Sequence, residues 1–70
     1  MTTPKHPHID APIRILHGEN VYAVFAALNR YMRAGGLSAT EARAEVAEIS
    51  NAATSYDDVF EVAGRYVNVV

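Results

Sequence analysis

Histidines are the residues of this chain with the clearest capacity for chemistry. His6 and His8 flank a proline, and Asp10 follows two residues later, so these three side chains form a short run that would chelate a metal ion weakly. Zinc sites hold three or four ligands rigidly, usually on turns or helices, whereas this run lies in a proline-rich end of the chain. We therefore predict a solvated segment here, with no metal and no cofactor.

Nucleophilic catalysis would need a hydroxyl within hydrogen-bond reach of a base, in a pocket that excludes water. The remaining histidine, His17, lies two residues before Glu19, but a His-Glu pair is too common to indicate an active site. The serines are explained as helix caps or helix-terminal polar groups (Ser38, Ser50 and Ser55). The sequence therefore predicts a protein that is not an enzyme.

Charge is distributed unevenly along the chain. Residues 1–36 contain four basic and two acidic residues, whereas residues 37–70 contain two basic and six acidic residues. The acidic half would repel phosphate, which argues against nucleic-acid binding there. The six acidic side chains could instead form one surface that docks on a basic protein partner, or simply the solvated face of amphipathic helices; they are Glu41, Glu45, Glu48, Asp57, Asp58 and Glu61.

The elements that would position these residues follow from turn signals and apolar spacing. Residues 1–12 contain all three prolines and predict a flexible N-terminal tail, so the compact domain is expected over 13–70. Ile13–Leu16 is short and rich in β-branched residues, which favours a strand.

Two helices are indicated next. The first runs from about residue 20 to 34, with Asn20 as N-cap and a glycine pair at 35–36 as the stop. The second begins after Ser38, which forms a capping box with Glu41. Its apolar stripe consists mostly of alanine, so it can approach its neighbour closely while burying little area.

A third helix is predicted from Thr54 or Ser55 to about Gly64, because apolar residues recur at helical spacing between them. The chain then continues into a strand over 66–70. We predict a small, mostly α domain in which the terminal strands pair around three helices (β-α-α-α-β); the alternative is an all-α three-helix bundle.

The C-terminal strand is a second candidate interaction surface. An unpaired strand edge can add to another sheet, and a homodimer built in this way would enlarge a thin core. The self-association contacts would be Tyr66, Val67, Val69 and Val70. Internal pairing with Ile13–Leu16 is compatible with this, since a two-stranded ribbon keeps free edges.

Composition adds expectations about location and origin. The chain has no cysteine, which fits a reducing cytoplasm, no apolar run approaches the roughly 18 residues of a membrane span, and the first residues do not match a secretion signal. Abundant alanine and a single lysine are typical of proteins from high-GC bacterial or phage genomes.

These observations favour a non-enzymatic protein-interaction module, such as a small regulator or inhibitor, whose acidic helical face docks on a basic partner. The first alternative is a structural homodimer joined by the C-terminal strand. The second is a nucleic-acid-binding protein that uses the arginines of the first half, namely Arg14, Arg30 and Arg33.

Overall fold

The computed structural model describes residues 3–70. Three helices lie between two short strands, which confirms the mostly α, β-α-α-α-β architecture. In chain order the elements are β1 (His6–Ala11), a 3-10 turn (Arg14–Leu16), α1 (Val21–Ala34), α2 (Ala39–Ala52), α3 (Tyr56–Ala63) and β2 (Val67–Val69).

The two strands pair in parallel and bring both ends of the described chain together. His6 lies opposite Val67 and Ala11 lies opposite Val69, with an irregular register between His6 and Asp10. At the far end of the pair, the Val70 amide donates to the Ala11 carbonyl at 3.1 Å. Parallel strands require a long crossover connection, and the three helices provide it.

The N-terminal strand lies earlier than the sequence predicted. Residues 6–11 were assigned to the tail but form β1, whereas Ile13–Leu16 was assigned to a strand but contains the 3-10 turn. Ile9, Ala11 and Ile13 are all buried, so the period-two apolar pattern of a strand begins within the proline-rich segment. Residues 1 and 2 of the predicted tail lie outside the described residues.

Each helix has its N-cap at a predicted residue, although only the serine half of the Ser38–Glu41 capping box is formed. The Asn20 side chain accepts from the Tyr22 amide at 2.8 Å, and Ser38 Oγ accepts from the Glu41 amide at 3.1 Å. Ser55 caps α3 by accepting from the Asp58 amide at 3.2 Å. These bonds satisfy amides that have no partner within the helix.

Apolar residues from every helix and from both strands form one core. α1 meets β1 so closely at Gly35 that a Cβ there would lie 2.5 Å from Ile9 Cγ1. Among residues 3–70, no helix combines the length and the apolar character needed to cross a membrane.

Candidate functional site

The most distinctive exposed surface surrounds the 3-10 turn, and we call it the turn surface: Arg14, Ile15, His17, Asp57 and Phe60. Four of these residues line a shallow groove of about 330 Å³, and Ile15 projects beside them with 79% of its surface exposed. An isoleucine is far more often buried than exposed. The groove also combines apolar, basic and acidic side chains within a small area.

Tyr56 anchors the turn to the first residue of α3. Its hydroxyl donates to the Leu16 carbonyl at 2.9 Å and accepts from the Gly18 amide at 3.1 Å. Gly18 adopts a φ of +98°, a conformation that glycine reaches without the steric cost of a side chain. The residues that follow Ile15 are therefore hydrogen-bonded to α3, and Ile15 lies on a turn that is fixed at its C-terminal end.

His17 lies in the groove between the turn and α3. Its Nε2 is 2.7 Å from Asp57 Oδ1. The imidazole also packs against Tyr56 and Phe60, at ring-centroid distances of 5.6 and 5.4 Å. Aromatic pairs at such distances add stability beyond the area they bury, so the groove has a packed aromatic wall.

Glu45, one of the predicted docking residues, is buried and turned toward β1. It is 6% exposed, and its carboxylate lies 2.7 Å from Lys5 Nζ and 2.8 Å from His6 Nε2. The i, i+4, i+7 spacing with Glu41 and Glu48 predicted an exposed face, either docking or simply solvated, but β1 covers the middle of that face. Glu45 is therefore not available to a partner.

Ion pairing also changes the acidity of this cluster. Burial acts to raise the pKa of Glu45, but hydrogen bonds from Lys5 and His6 outweigh it, so the pKa of Glu45 lies below its ordinary value. The hydrogen bond to Glu45 in turn raises the pKa of Lys5. Both partners thus favour their charged forms, and the cluster joins α2 to β1.

The other predicted acidic residues differ in exposure and in the partners that they contact. Asp58 is half-buried and accepts from the Thr54 amide and hydroxyl at 2.9 and 3.2 Å. Four of the six predicted acidic residues are exposed, namely Glu41, Glu48, Asp57 and Glu61. The bonded acidic side chains of α2 and α3 face different segments, since Glu45 contacts β1 whereas Asp57 contacts the turn.

Most of the predicted self-association residues pack inside the domain. Val67 is fully buried, and Tyr66 and Val69 are half-buried against the core. β2 pairs with β1 on one side. Val70, which is 52% exposed, is the apolar side chain of this segment that remains open to solvent.

Neither a shared arginine surface nor a metal cluster joins the remaining candidates. Arg14 lines the groove at the turn, whereas Arg30 and Arg33 line a different groove near the end of α1. Within residues 3–70, no group of three or more potential ligands is placed to hold a metal ion. The rings of His6 and His8 meet edge to face, with centroids 6.1 Å apart.

Sequence reasoning missed the exposure of Ile15. Ile13–Leu16 was predicted as a strand, in which Ile13 and Ile15 would point to the same face. The 3-10 turn separates them: Ile13 is fully buried and Ile15 is exposed. No local signal in the sequence linked Tyr56 to this turn, because the bond from Tyr56 to Leu16 joins residues that are 40 positions apart.

Comparisons with known proteins return no match: no protein-family model, no curated protein and no solved structure is significantly similar to this chain. Function is therefore inferred from the geometry of the chain itself.

Proposed function

We propose that this chain is a non-enzymatic protein-interaction module, acting in the cytoplasm as a small regulator or inhibitor, and that its turn surface docks on a partner protein. The observation that carries this proposal is the exposure of Ile15 on a turn fixed by Tyr56. The partner surface would present an apolar pocket for Ile15 and basic side chains near it.

Pre-organisation is the first support. Association costs conformational entropy when an interface segment must become ordered. A segment that is already held in place loses less of this entropy on binding. The two hydrogen bonds of the Tyr56 hydroxyl hold the residues that follow Ile15. An apolar side chain presented in this way resembles the anchors that dominate protein interfaces, which insert into well-packed, desolvated pockets.

Charge is the second support. Asp57 lies in the groove, and Glu61 follows it by one turn on the same exposed face of α3. Two carboxylates against the single guanidinium of Arg14 would favour a basic partner surface and accelerate its approach. This retains the α3 half of the predicted acidic surface and omits the α2 half, whose central carboxylate is buried.

The composition of the groove supports binding rather than catalysis. His17 and Asp57 are adjacent, but both are more than half exposed, and the other residues lining the groove are Arg14 and Phe60. Neither of these two supplies a nucleophile, and the groove is too open to exclude water from a reacting centre.

Affinity capture from lysate of the source organism, read by mass spectrometry, tests the proposal. The bait would be the parent chain, an Ile15→Ser variant and a Tyr22→Ser control. Tyr22 is 75% exposed on α1, so the control also truncates one large exposed side chain to serine, away from the turn. We expect a partner that the parent and the control retain and that Ile15→Ser loses.

The outcomes separate the competing functions. A partner captured equally by all three chains would place the interface elsewhere and contradict the proposal. Recovery of only the chain itself, with a dimer mass in solution that Val70→Ser abolishes, would favour the structural homodimer. Because Ile15 is exposed, its substitution should leave the thermal unfolding temperature nearly unchanged, which excludes loss of folding as the cause of lost binding.

A further inference from the structure

A second groove, of opposite charge, lies between the C-terminal end of α1 and the N-terminal end of α2. We call it the arginine groove, and its volume is about 610 Å³. Its walls carry two guanidinium groups and one amide around small or apolar side chains: Asn29, Arg30, Arg33, Ala34, Leu37 and Ala39. None of these residues belongs to the turn surface.

The arginines of this groove form no ion pair with an acidic side chain among the described residues. Within residues 3–70, the ion pairs formed by side chains involve Lys5, His6 and His17, and none involves Arg30 or Arg33. α1 contains no acidic residue, so no carboxylate on the same helix offsets their charge. Residues three apart are neighbours on a helix surface, and the two positive charges therefore reinforce each other.

One aromatic ring and one aliphatic side chain lie beside the arginines. The Arg30 guanidinium carbon lies 5.5 Å from the centroid of the half-buried Tyr31 ring, a distance within the range of a cation-π interaction. Leu37 is half-buried against the core and supplies an apolar wall beside the charges. The groove thus combines paired cations with a small hydrophobic area.

We propose that the arginine groove binds an acidic segment of a partner protein, with carboxylates on Arg30 and Arg33 and an apolar side chain against Leu37. Guanidinium groups form strong, charge-assisted hydrogen bonds with carboxylates, and the apolar wall adds contact that a phosphate backbone would not use. A nucleic acid is a poorer fit, because two arginines neutralise few phosphates and the acidic half of the chain repels a long polyanion. The chain would then carry two docking sites of opposite charge preference.

Fluorescence anisotropy with a defined probe tests this inference. The probe is a labelled peptide of about ten residues containing aspartate, glutamate and two leucines; a single-stranded DNA of similar charge is the comparison. The test variant is Arg30→Glu with Arg33→Glu. The control is Arg43→Glu with Arg65→Glu, which changes the net charge equally at exposed positions outside the groove.

We expect the parent and the control to bind the acidic peptide, the test variant to bind it about tenfold or more weakly, and added salt to weaken binding. Amide shifts of the parent confined to residues 29–39 during an NMR titration would locate the peptide without any variant. Ile15→Ser should bind the peptide like the parent, so this site and the turn surface can fail separately.

Three outcomes would overturn the inference. The first is no binding of the acidic peptide even at low salt. The second is tighter binding of the DNA than of the peptide, which would make the groove a nucleic-acid site. The third is a parent dimer that the test variant abolishes, which would make the occupant a second copy of this chain.

Discussion

Replacing Glu45 with glutamine tests the buried cluster that joins α2 to β1. The Glu45 carboxylate interacts with Lys5 Nζ at 2.7 Å and with His6 Nε2 at 2.8 and 3.0 Å. The Glu45→Gln substitution preserves the size of the side chain but removes its charge and one acceptor oxygen. Lys5 would lose its ionic partner, and the His6 ring, which is 18% exposed, would keep at most one acceptor oxygen.

The expected loss of stability comes mainly from the hydrogen bond between Glu45 and His6. A hydrogen bond to a charged group contributes about 1.5–3 kcal/mol to stability. Lys5 is 58% exposed and can return to water, so we assign its loss no separate energy. For a domain of this size, each kcal/mol corresponds to roughly 4–8 °C in the unfolding temperature, and we expect Glu45→Gln to lower it by about 10 °C at pH 7.

The dependence on pH gives a sharper test than the size of the effect. Because the folded-state pKa of Glu45 lies below its unfolded value, its stabilisation is complete above an unfolded pKa of about 4.3. This contribution is lost as the pH falls through the folded-state pKa. Glutamine does not titrate, so the difference between parent and variant should be full at pH 7 and shrink below about pH 4.

Urea denaturation followed by circular dichroism, at neutral pH and at about pH 3, measures both quantities. Glu61→Gln is the control, because Glu61 is exposed on α3, outside this cluster, and should change stability by no more than about 0.5 kcal/mol. A Glu45→Gln variant as stable as the parent at pH 7, or a difference that persists unchanged in acid, would refute the reasoning.

Two further substitutions test how β1 and the turn are held. Gly35→Ala should destabilise the protein by about 1–3 kcal/mol, because the new Cβ would lie 2.5 Å from Ile9 Cγ1. In an Ile9→Ala background, urea denaturation should show no such loss of stability. A loss that persists in this background would contradict the assigned contact. Tyr56→Phe removes the hydroxyl bonds to Leu16 and Gly18 and should cost about 1 kcal/mol while accelerating amide exchange at Gly18; unchanged exchange would show that the turn is held by other means.

Helix ends were predictable from sequence because their signals are local. Asn20, Ser38 and Ser55 each accept a hydrogen bond from an amide two or three residues later, and each stands immediately before an apolar helical repeat. The glycine pair after α1 is equally local: Gly36 adopts a φ of +112°, which favours glycine at a helix end. Such interactions depend on the neighbouring sequence alone.

The N-terminal strand was misplaced because its stabilisation comes from distant residues. Pro7 and Pro12 suggested a tail, yet Pro7 lies within β1. The pairing of β1 with β2 does not use a backbone amide at residue 7. The Lys5 and His6 amides instead donate to the carbonyls of Arg65 and Tyr66. Only this pairing, sixty residues away along the chain, makes the segment a strand.

The same long-range packing decided which of the predicted acidic residues are buried and which are exposed. Periodicity placed Glu45 on one helical face with its exposed neighbours, but no local signal indicated that β1 would cover it. Asp57 remained exposed, and its contact with His17 depends on the path of the turn. The β-branched residues around Ile15 predicted a strand, because β propensity is a local preference. Tertiary structure overrides this preference here, so the sequence did not predict the turn surface.

The affinity of the captured partner for the parent chain and for Ile15→Ser tests the central claim most directly. Isothermal titration calorimetry with the purified partner gives both dissociation constants, with Tyr22→Ser as the control. If Ile15 is the anchor, its truncation should cost about 2 kcal/mol or more, which is roughly a 30-fold weaker interaction, while the control binds like the parent. Equal dissociation constants for the parent and Ile15→Ser would contradict the claim that the turn surface is the docking site.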